Sequence, residues 1–405
     1  GGGGGEEWVA EHLEAFVNIA GPLLGVPKTL SSLISGEMRD TAELNDMLEF
    51  LKESFISRKD LLRAFRSFSS LASMIPKGGD AVWGSPLSAP DDDRRTQVHF
   101  SHGALVDFVS HSHISRQERT QRCSPSNDEG ERCPAADLYL DDDDKTLATV
   151  TEKLAPCEVV EMLDSDSGVV EPLPDSIVPM DVRVLLSGEA HTSEGALDVL
   201  RKIAPKYMGK VEAHDSFGIA FDFSDPKYQE PKYWNNPLES QLPNAPDMTI
   251  YSLYGTGKAT ERSYAYKVTD SPLCGHLPFL VDTNATDPAA YVNRGVRLVN
   301  GDGTVPLISN GFMGVKGWKH PRYNPYGVNT VTKEYEHSPE FLAAGGLMDR
   351  LRGGRSSADH VDIMGNHEMI TDLLYIVSGN GHKVEQRIHS NIEEVCEKVQ
   401  LNSPE

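Results

Sequence analysis

Asp302 and His360 are the two residues whose types, order and surroundings are best suited to acyl-transfer chemistry. Asp302 lies in the turn Asn300-Gly301-Asp302-Gly303-Thr304, and the apolar pair Leu298-Val299 before it predicts the end of a strand. His360 follows 58 residues later, after a second glycine-containing loop at residues 353–357. A carboxylate that orients an imidazole lets that imidazole take a proton from a nucleophile and deliver it to a leaving group. The pair therefore predicts an acid and a general base.

Each of these residues also has a simpler explanation when it is considered alone. Asp302 could do no more than close an Asx turn, and His360 could be an ordinary surface or core histidine. Order, turn context and spacing together favour catalysis, because the acid precedes the histidine in the α/β-hydrolase triad. The third member of that triad, a serine in a G-x-S-x-G elbow, precedes both, and the sequence contains no such motif.

The first residues of the sequence resemble an internal loop. Gly1 to Gly5 lead directly into an apolar-periodic segment, with no initiator Met, no basic leader and no apolar leader. We therefore expect the sequence to begin inside a domain and to hold the later part of a catalytic fold. Because triad members act as a unit, we expect this chain alone to be inactive without its nucleophile.

Two metal-site hypotheses compete with this interpretation. Gly365-Asn366-His367-Glu368 matches an element of binuclear metallophosphoesterases, and Gly301-Asp302 could imitate another such element. A two-metal site needs several further Asp and His ligands, and the expected D-x-H element is missing. A group of histidines between residues 99 and 113 fits no standard zinc spacing. We therefore predict no metal site.

The composition excludes some classes of partner. The 405 residues carry a net charge of −23, with 39% hydrophobic and 24% charged residues. These fractions are ordinary for a globular protein, and the length suits one large α/β domain with insertions, or two domains. The acidic charge argues against nucleic acid, because a phosphate backbone selects Lys and Arg. No apolar run reaches the roughly 18 residues that a membrane-spanning helix requires.

Apolar periodicity predicts strands that alternate with helices. Strands are expected at residues 16–20, 248–255, 262–268 and 330–335, and helices at residues 8–16, 29–35, 43–73, 195–203, 369–378 and 384–399. This alternation is typical of a mostly parallel sheet flanked by helices, so the predicted fold class is α/β.

The long gap between the strand near Val17 and the strand near Ile250 must hold an insertion. The predicted parts are a strand and site loop of the core at residues 1–30, a cap region at 31–246, and the rest of the core, with the acid and the histidine, at 247–405. Within the cap, helices come first. Residues 85–178 then form an acidic insertion that is too polar to bury a core and is predicted to be disordered, interrupted by short ordered pieces such as Gln97 to Val109.

Seven segments, taken in their order along the sequence, match one known family. They are VNIAGPLLGVPK at residues 17–28, MIPKGGDAVWG at 74–84, PKYQEPKYW at 226–234, LPNAP at 242–246, IYSLYG at 250–255, GDGTVP at 301–306 and HVDIMGN at 360–366. With these segments in this order, the sequence resembles the phospholipid:diacylglycerol acyltransferases, a branch of the lecithin:cholesterol acyltransferase family. The acidic residues 85–178 are the poorly matching part.

The resemblance implies an α/β-hydrolase fold with a helical cap and a long acidic insertion, incomplete here because the N-terminal strands are missing. It matches Asp302 to the triad acid and His360 to the triad base. The loop residues that it places at the acyl site are Gly21, Pro22, Leu23 and Leu24.

The implied reaction moves an acyl chain from a phospholipid to diacylglycerol and forms triacylglycerol, with no metal and no diffusible cofactor. The implied partners are these two lipids, together with a membrane surface for the full-length protein. The implied location of that full-length protein is the endoplasmic reticulum membrane.

Two other functions stay open at this point. A phospholipase would use the same triad with water as the acceptor, whereas a non-catalytic fragment or interaction module would use no triad. An acyltransferase needs an apolar, water-poor pocket, because it must favour an alcohol over water. Tyr251, Leu253 and Tyr254 could line such a pocket, or they could equally be core residues of their strand.

Overall fold

The computed structural model describes residues 5, 7–39, 58–93, 101–108, 190–268, 279–286, 292–338 and 353–401. The α-helices in these ranges are α1 (Trp8–His12), α2 (Pro27–Ser35), α3 (Arg58–Ser67), α4 (Ser69–Ser73), α5 (Gly79–Trp83), α6 (Ser193–Ile203), α7 (Pro205–His214), α8 (Leu307–Val315), α9 (His367–Val377) and α10 (Ile392–Lys398). The β-strands are β1 (Ala15–Ile19), β2 (Val106–Asp107), β3 (Ala190–His191), β4 (Thr249–Thr256), β5 (Lys258–Val268), β6 (Phe279–Val281), β7 (Val292–Asn293), β8 (Val296–Gly301) and β9 (Asn329–Glu336). Short 3-10 helices are Pro226–Gln229, Pro231–Tyr233, Gly317–Lys319, Gly354–Ser356, Asp362–Gly365 and Gly381–Lys383.

Several helices begin and end where the sequence signals indicate. The helices predicted at residues 29–35, 195–203 and 369–378 are confirmed as α2, α6 and α9. Thr192 caps α6, because its hydroxyl accepts a hydrogen bond from the backbone N–H of Gly195 at 3.3 Å. Of the helix predicted at 43–73, residues 43–57 lie outside the described residues. In the described ranges, no helix combines the length and the apolar composition needed to cross a membrane.

A parallel sheet in the order β1-β4-β9 is the element that the sequence predicted best. Ala15 pairs with Thr249, and Thr249 pairs with Asn329 on the other side, so all three strands run in the same direction. One face of this sheet packs against α9 through a cluster that includes Leu253 and Met369. The carboxyl ends of the three strands therefore open toward a common edge, where α/β proteins usually bind their ligands.

A second, mixed sheet corrects the prediction of a mostly parallel arrangement. Its strand order is β3-β2-β5-β8-β7, β6 pairs with β5 off this path, and β5 runs antiparallel to β8. The two sheets are joined at Gly257, whose φ of 91° turns the chain sharply between β4 and β5. The period-2 pattern predicted strand structure near residues 262–268, but such a pattern does not specify the neighbouring strand.

Helix α8 lies unusually close to the parallel sheet. A Cβ added to Gly311 would be 2.5 Å from the Tyr254 hydroxyl, and one added to Gly314 would be 2.5 Å from Oγ1 of Thr332. Both glycines are therefore required by close approach of the helix to β4 and β9. This contact fixes the start of α8, and with it the turn that carries Asp302.

Residues 101–108 of the acidic segment are buried, in agreement with the short ordered piece predicted there, whereas the burial of Ala89, Pro90 and Asp92 corrects the prediction of a solvated segment. Arg262 is fully buried against the Trp83 ring, and its Nε and Nη2 donate to the two carboxylate oxygens of Asp91 at 2.7 and 3.0 Å. A second buried pair joins Arg297 to Asp107 at 3.1 Å. These arginines come from β5 and β8. Their positive charges neutralise buried carboxylates, and for Asp91 the sequence pattern predicted exposure to solvent. Residues 94–100 and 109–189 lie outside the described residues.

The predicted helix at residues 384–399 was wrong in its first half, since only α10 is helical there. The backbone of Arg387 instead pairs with β9, donating to the carbonyl of Thr332 at 3.0 Å and accepting from Glu334 at 2.9 Å. The buried Glu334 carboxylate also accepts the backbone N–H groups of His389 and Ser390, at 2.6 and 2.7 Å. Backbone groups that a helix would use are thus taken by β9.

The Asp91–Arg262 pair leads to a pH-dependent prediction. Burial alone would raise the pKa of Asp91, but the charge and hydrogen bonds of Arg262 outweigh burial and lower that pKa. A carboxyl whose pKa is lowered by folding stabilises the protein, and this contribution to the free energy of unfolding is fully present above the pKa of the unfolded chain, about 3.9. It is lost as the pH falls through the folded value.

Asp91→Asn should therefore lower the free energy of unfolding at neutral pH by about 3–5 kcal/mol, because it leaves Arg262 buried and unpaired. It should also flatten the acid limb of the stability profile. Urea unfolding between pH 7 and pH 3 measures both effects. Asp198→Asn, which removes an exposed pair with Arg201, should change stability by less than about 1 kcal/mol. An equal effect of the two substitutions would mean that the buried pair contributes no more to stability than the exposed one.

Candidate active site

Asp302 is fully buried directly after β8, in a turn that we call the acid turn (residues 300–306). Its Oδ1 accepts the backbone N–H groups of Thr304 and Val305 at 2.9 and 2.7 Å. Its Oδ2 accepts from Nδ2 of Asn310, on α8, at 3.2 Å. The Asx-turn explanation and the functional one are therefore compatible, because Oδ1 closes the turn while Oδ2 is left to orient another group.

His360 supplies that other group. Its Nδ1 lies 2.9 Å from Oδ2 of Asp302, and its backbone N–H donates to the Asp302 carbonyl, also at 2.9 Å. An ionised carboxylate can only accept, so this contact puts the proton of a neutral imidazole on Nδ1 and leaves Nε2 as an acceptor. The side chain is 27% exposed, and no described residue forms a hydrogen bond with Nε2. The histidine is thus oriented by the acid and open on its reactive side.

The segment that carries His360, the histidine loop (residues 357–366), is closed by Asn366. The Asn366 amide donates to the carbonyl of Ser357 at 3.0 Å, and its Oδ1 caps α9 by accepting from Glu368 and Met369. The Gly-Asn-His-Glu sequence that resembles a metallophosphoesterase element is therefore a helix cap here. No cluster of His, Cys, Asp and Glu suited to a metal ion occurs within the described ranges.

Gly255, near the end of β4, lets the histidine loop reach the sheet edge. A Cβ at Gly255 would lie 1.9 Å from the carbonyl oxygen of Ala358, two residues before His360. The loop backbone therefore lies directly on β4, and any side chain at position 255 would displace it. This contact brings His360 from the end of the chain to the strand edge near the acid turn.

The loop predicted to line an acyl site, at residues 21–24, is tied to the helix that follows the acid turn. The backbone N–H of the fully buried Leu24 donates to Oγ of Ser309, on α8, at 3.1 Å, and its carbonyl accepts from Lys77 at 2.9 Å. Gly21 has no room for a side chain, because a Cβ there would be 2.0 Å from Oδ1 of Asn18. The loop also contains Pro22, whose carbonyl accepts from Gly25 at 3.0 Å, and the partly buried Leu23.

Tyr251, Leu253 and Tyr254 are placed in the core, with exposed fractions of 5%, 0% and 1%. Tyr251 and Leu253 belong to the cluster under α9, and the Tyr254 hydroxyl donates to Oε1 of Glu334 at 3.0 Å on the opposite face of β4. Their burial agrees with a core role, and a contribution to an acyl pocket stays a prediction.

A cavity of about 680 Å³ begins at the acid turn. Asn300 and Lys258 contribute to its wall beside the turn, and Leu298, Leu307 and Ile308 provide apolar surface. Volumes of this size are typical of sites for small molecules or lipid chains. The cavity therefore gives a mostly apolar space beside Asn300, but Asp302, His360 and the loop at residues 21–24 do not line it.

Three residues around the pair escaped sequence reasoning, namely Lys258, His337 and Asp359. Lys258 forms an ion pair with Asp359, and Nδ1 of His337 accepts the backbone N–H of Ala358 at 3.1 Å. They come from β5, from the end of β9 and from the histidine loop. Only the position of Asp359 next to His360 could have drawn attention to one of them.

The fold and the acid–histidine pair define an α/β protein with the orienting geometry of acyl-transferring enzymes. The family model for lecithin:cholesterol acyltransferase matches residues 4–165 and 190–367, and the chain belongs to that family. Both Asp302 and His360 lie inside the matched ranges.

Curated relatives agree with this assignment. Phospholipid:diacylglycerol acyltransferase 1 of Arabidopsis thaliana is 34% identical over 440 residues, covering 99% of this chain and 59% of the relative. The phospholipid:diacylglycerol acyltransferase of Schizosaccharomyces pombe is 32% identical, covering 100% of this chain and 50% of the relative. That of Saccharomyces cerevisiae is 28% identical, covering 96% and 46%. The chain thus spans about half to three fifths of the length of these relatives.

The two oxygens of Asp302 predict different outcomes for two substitutions. Asp302→Ala removes the acceptor of Thr304, Val305 and Asn310, at a cost of about 1–3 kcal/mol for each donor that stays buried and unpaired. Asp302→Asn keeps one oxygen for the turn, so it should cost much less, but its amide would donate toward His360 and move the imidazole proton to Nε2. Urea unfolding and imidazole ¹⁵N shifts measure the two effects. Equal stability of the two variants would contradict this division of roles.

Gly255→Ala should shift the histidine loop and lower the free energy of unfolding by about 1–3 kcal/mol, because the new Cβ overlaps the carbonyl of Ala358. Gly209→Ala is the matched control. Gly209 lies in α7 with nothing within 4 Å of its built Cβ, so alanine there should add about 0.5–1 kcal/mol. Urea unfolding decides the comparison, and a stabilised Gly255→Ala protein would show that the close contact is unimportant.

Proposed function

We propose that the protein to which this chain belongs is a lipid O-acyltransferase that moves an acyl chain from a phospholipid to diacylglycerol and forms triacylglycerol. The observation that carries this proposal is the 2.9 Å contact between Nδ1 of His360 and Oδ2 of Asp302. It occurs within a family match that covers both residues. Relatives named phospholipid:diacylglycerol acyltransferase supply the substrate classes.

In the proposed mechanism, Nε2 of His360 accepts the proton of a serine hydroxyl as that oxygen attacks the phospholipid ester. The proton then passes to the departing lysophospholipid oxygen, and an acyl-enzyme remains. In the second half, the same nitrogen accepts the proton of the diacylglycerol hydroxyl as that oxygen attacks the acyl-enzyme. The proton then passes to the departing serine oxygen, which restores the serine and the neutral histidine and releases triacylglycerol. We propose that the serine lies in a segment beyond the printed sequence, in an α/β-hydrolase core that this chain completes.

Asp302 contributes orientation and charge to this mechanism. Its full burial removes solvent that would weaken its interaction with the imidazolium formed in each half-reaction. Because Thr304, Val305 and Asn310 already hold the carboxylate in place, it needs little rearrangement when that charge develops. The pair is therefore suited to repeated proton transfer.

The surroundings of the pair support a lipid substrate. The cavity beside the acid turn has an apolar wall, and the loop at residues 21–24 is anchored to α8 close by. We propose that this loop borders the acyl chain and that the full-length protein acts at the endoplasmic reticulum membrane. An apolar, water-poor site would favour the diacylglycerol hydroxyl over water as acceptor.

The test uses a form of the protein that includes the serine-bearing segment, with phospholipid radiolabelled in its sn-2 acyl chain. Label should appear in triacylglycerol when diacylglycerol is added. His360→Gln should lower that rate by at least about 10³-fold, because triad members act as a unit. His382→Gln, on an exposed 3-10 turn, is the matched control and should keep the wild-type rate.

Each other outcome identifies a different function. Label found only in free fatty acid, with and without diacylglycerol, would mean a phospholipase and would overturn the transferase proposal. Unchanged phospholipid in every sample, with folding verified, would mean a non-catalytic role. Transfer that persists in His360→Gln would remove His360 from the mechanism while leaving the activity in place.

A further inference from the structure

Lys258 and Asp359 form an ion pair beside the acid and the histidine. Lys258 is the first residue of β5, and its backbone forms a bridge with Asp302. Asp359 immediately precedes His360 in the sequence. The ion pair therefore joins the histidine loop to β5, the strand whose first residue pairs with the backbone of the acid turn.

Gly303 is the residue over which this ion pair lies. A Cβ built on Gly303 would be 2.8 Å from Cδ of Lys258 and 3.2 Å from Oδ2 of Asp359. The φ of Gly303 is also 93°, so the position favours glycine for both conformation and space. The stem of Lys258 thus covers the acid turn, and Asp359 meets its ammonium group from the histidine loop.

Both carboxylate oxygens of Asp359 are engaged in this arrangement. Oδ2 accepts from Lys258, and Oδ1 accepts the backbone N–H of Val361 at 3.2 Å. Burial would raise the pKa of Asp359, but the hydrogen bond from Lys258, the backbone N–H groups and the charge of Lys258 together lower it. Asp359 therefore stays ionised, and each of its oxygens is held by a partner other than His360.

His337 supports the histidine loop from the end of β9. Burial and the positive charge of Lys258 lower the pKa of His337, although the charges of Asp359 and Asp362 oppose this effect. A neutral His337 keeps Nδ1 free to accept the N–H of Ala358. Lys258 thus affects the loop at two points, through its ion pair and through the protonation state of His337.

We propose that Lys258 and Asp359 are positioning residues for His360, and that their ion pair keeps its imidazole on Asp302. The consequence for acyl transfer rests on the proposed function, whereas the effect on the imidazole does not. Without the lysine, Asp359 becomes a second carboxylate next to His360, free to compete with Asp302 for Nδ1. Without Asp359, the loop loses both its link to β5 and the contact that orients Val361.

The experiment follows the Nδ1–H proton of His360 by NMR in ¹⁵N-labelled protein, since a hydrogen bond to Asp302 protects this proton from exchange. Lys258→Met removes the positive charge but keeps most of the stem. Asp359→Asn removes the negative charge with almost no change in shape. Lys258→Arg keeps the positive charge. Lys398→Met is the matched control. It removes the 3.0 Å pair with Glu394, and Lys398 is 38% exposed, against 39% for Lys258.

Exchange of the His360 Nδ1–H should be at least about tenfold faster in Lys258→Met and Asp359→Asn, because the histidine loop opens more often. Lys258→Arg and Lys398→Met should match wild type. In the protein that contains the serine, kcat should fall about tenfold in the first two variants while KM stays within about twofold. A purely structural role would lower the amount of folded protein but would leave the kcat of the folded fraction unchanged.

Wild-type exchange in Asp359→Asn, or equal effects of Lys258→Met and Lys398→Met, would overturn the proposal. If Lys258→Met does not fold, Asp359→Asn and Lys258→Arg decide the question. Faster exchange combined with a wild-type protein that transfers no acyl group would remove the proposed function and leave the positioning role intact. Normal acyl transfer in Asp359→Asn, with normal exchange of the His360 proton, would remove the positioning role and leave the proposed function intact.

Discussion

The buried carboxylate of Asp302 is the group on which the rest of the site depends. One oxygen holds the acid turn through two backbone N–H groups, and the other holds His360 with help from Asn310. A buried charge is tolerated only when it is well hydrogen-bonded, so the turn must close in this way for the site to exist. Local folding of the turn and orientation of the histidine are therefore consequences of the same side chain.

Close backbone contacts bring the remaining parts to that carboxylate. Glycines at 311 and 314 let α8 lie against the parallel sheet, and Gly255 lets the histidine loop lie on β4. Each of these positions would place a Cβ within 2.5 Å of a neighbouring atom. The site is thus built by the absence of side chains at these positions as much as by the presence of the acid and the base.

Family membership and the geometry of the site together support the proposed function. The acid–histidine pair, the apolar cavity and the anchored loop are the features on which the proposed lipid acyl transfer rests, and the names of the relatives suggested its lipid classes. The ion pair of Lys258 and Asp359 adds a second link to the histidine loop, from the start of β5 beside the acid turn. In the proposed mechanism His360 accepts and releases a proton twice per turnover, and such a role benefits from an orientation that is fixed from both sides.

The sequence by itself determined the strands of the parallel sheet, the helices with clear caps, and the candidate acid and base, because these depend on periodicity and local turn chemistry. It failed for residues 384–391, where the Arg387 backbone pairs with β9, and for Asp91, which looked solvated until Arg262 was brought to it. Only the tertiary structure decided which oxygen of Asp302 meets His360, and that Lys258 reaches Asp359. These contacts join residues that are 58 and 101 positions apart, and local patterns carry no information about such distant partners.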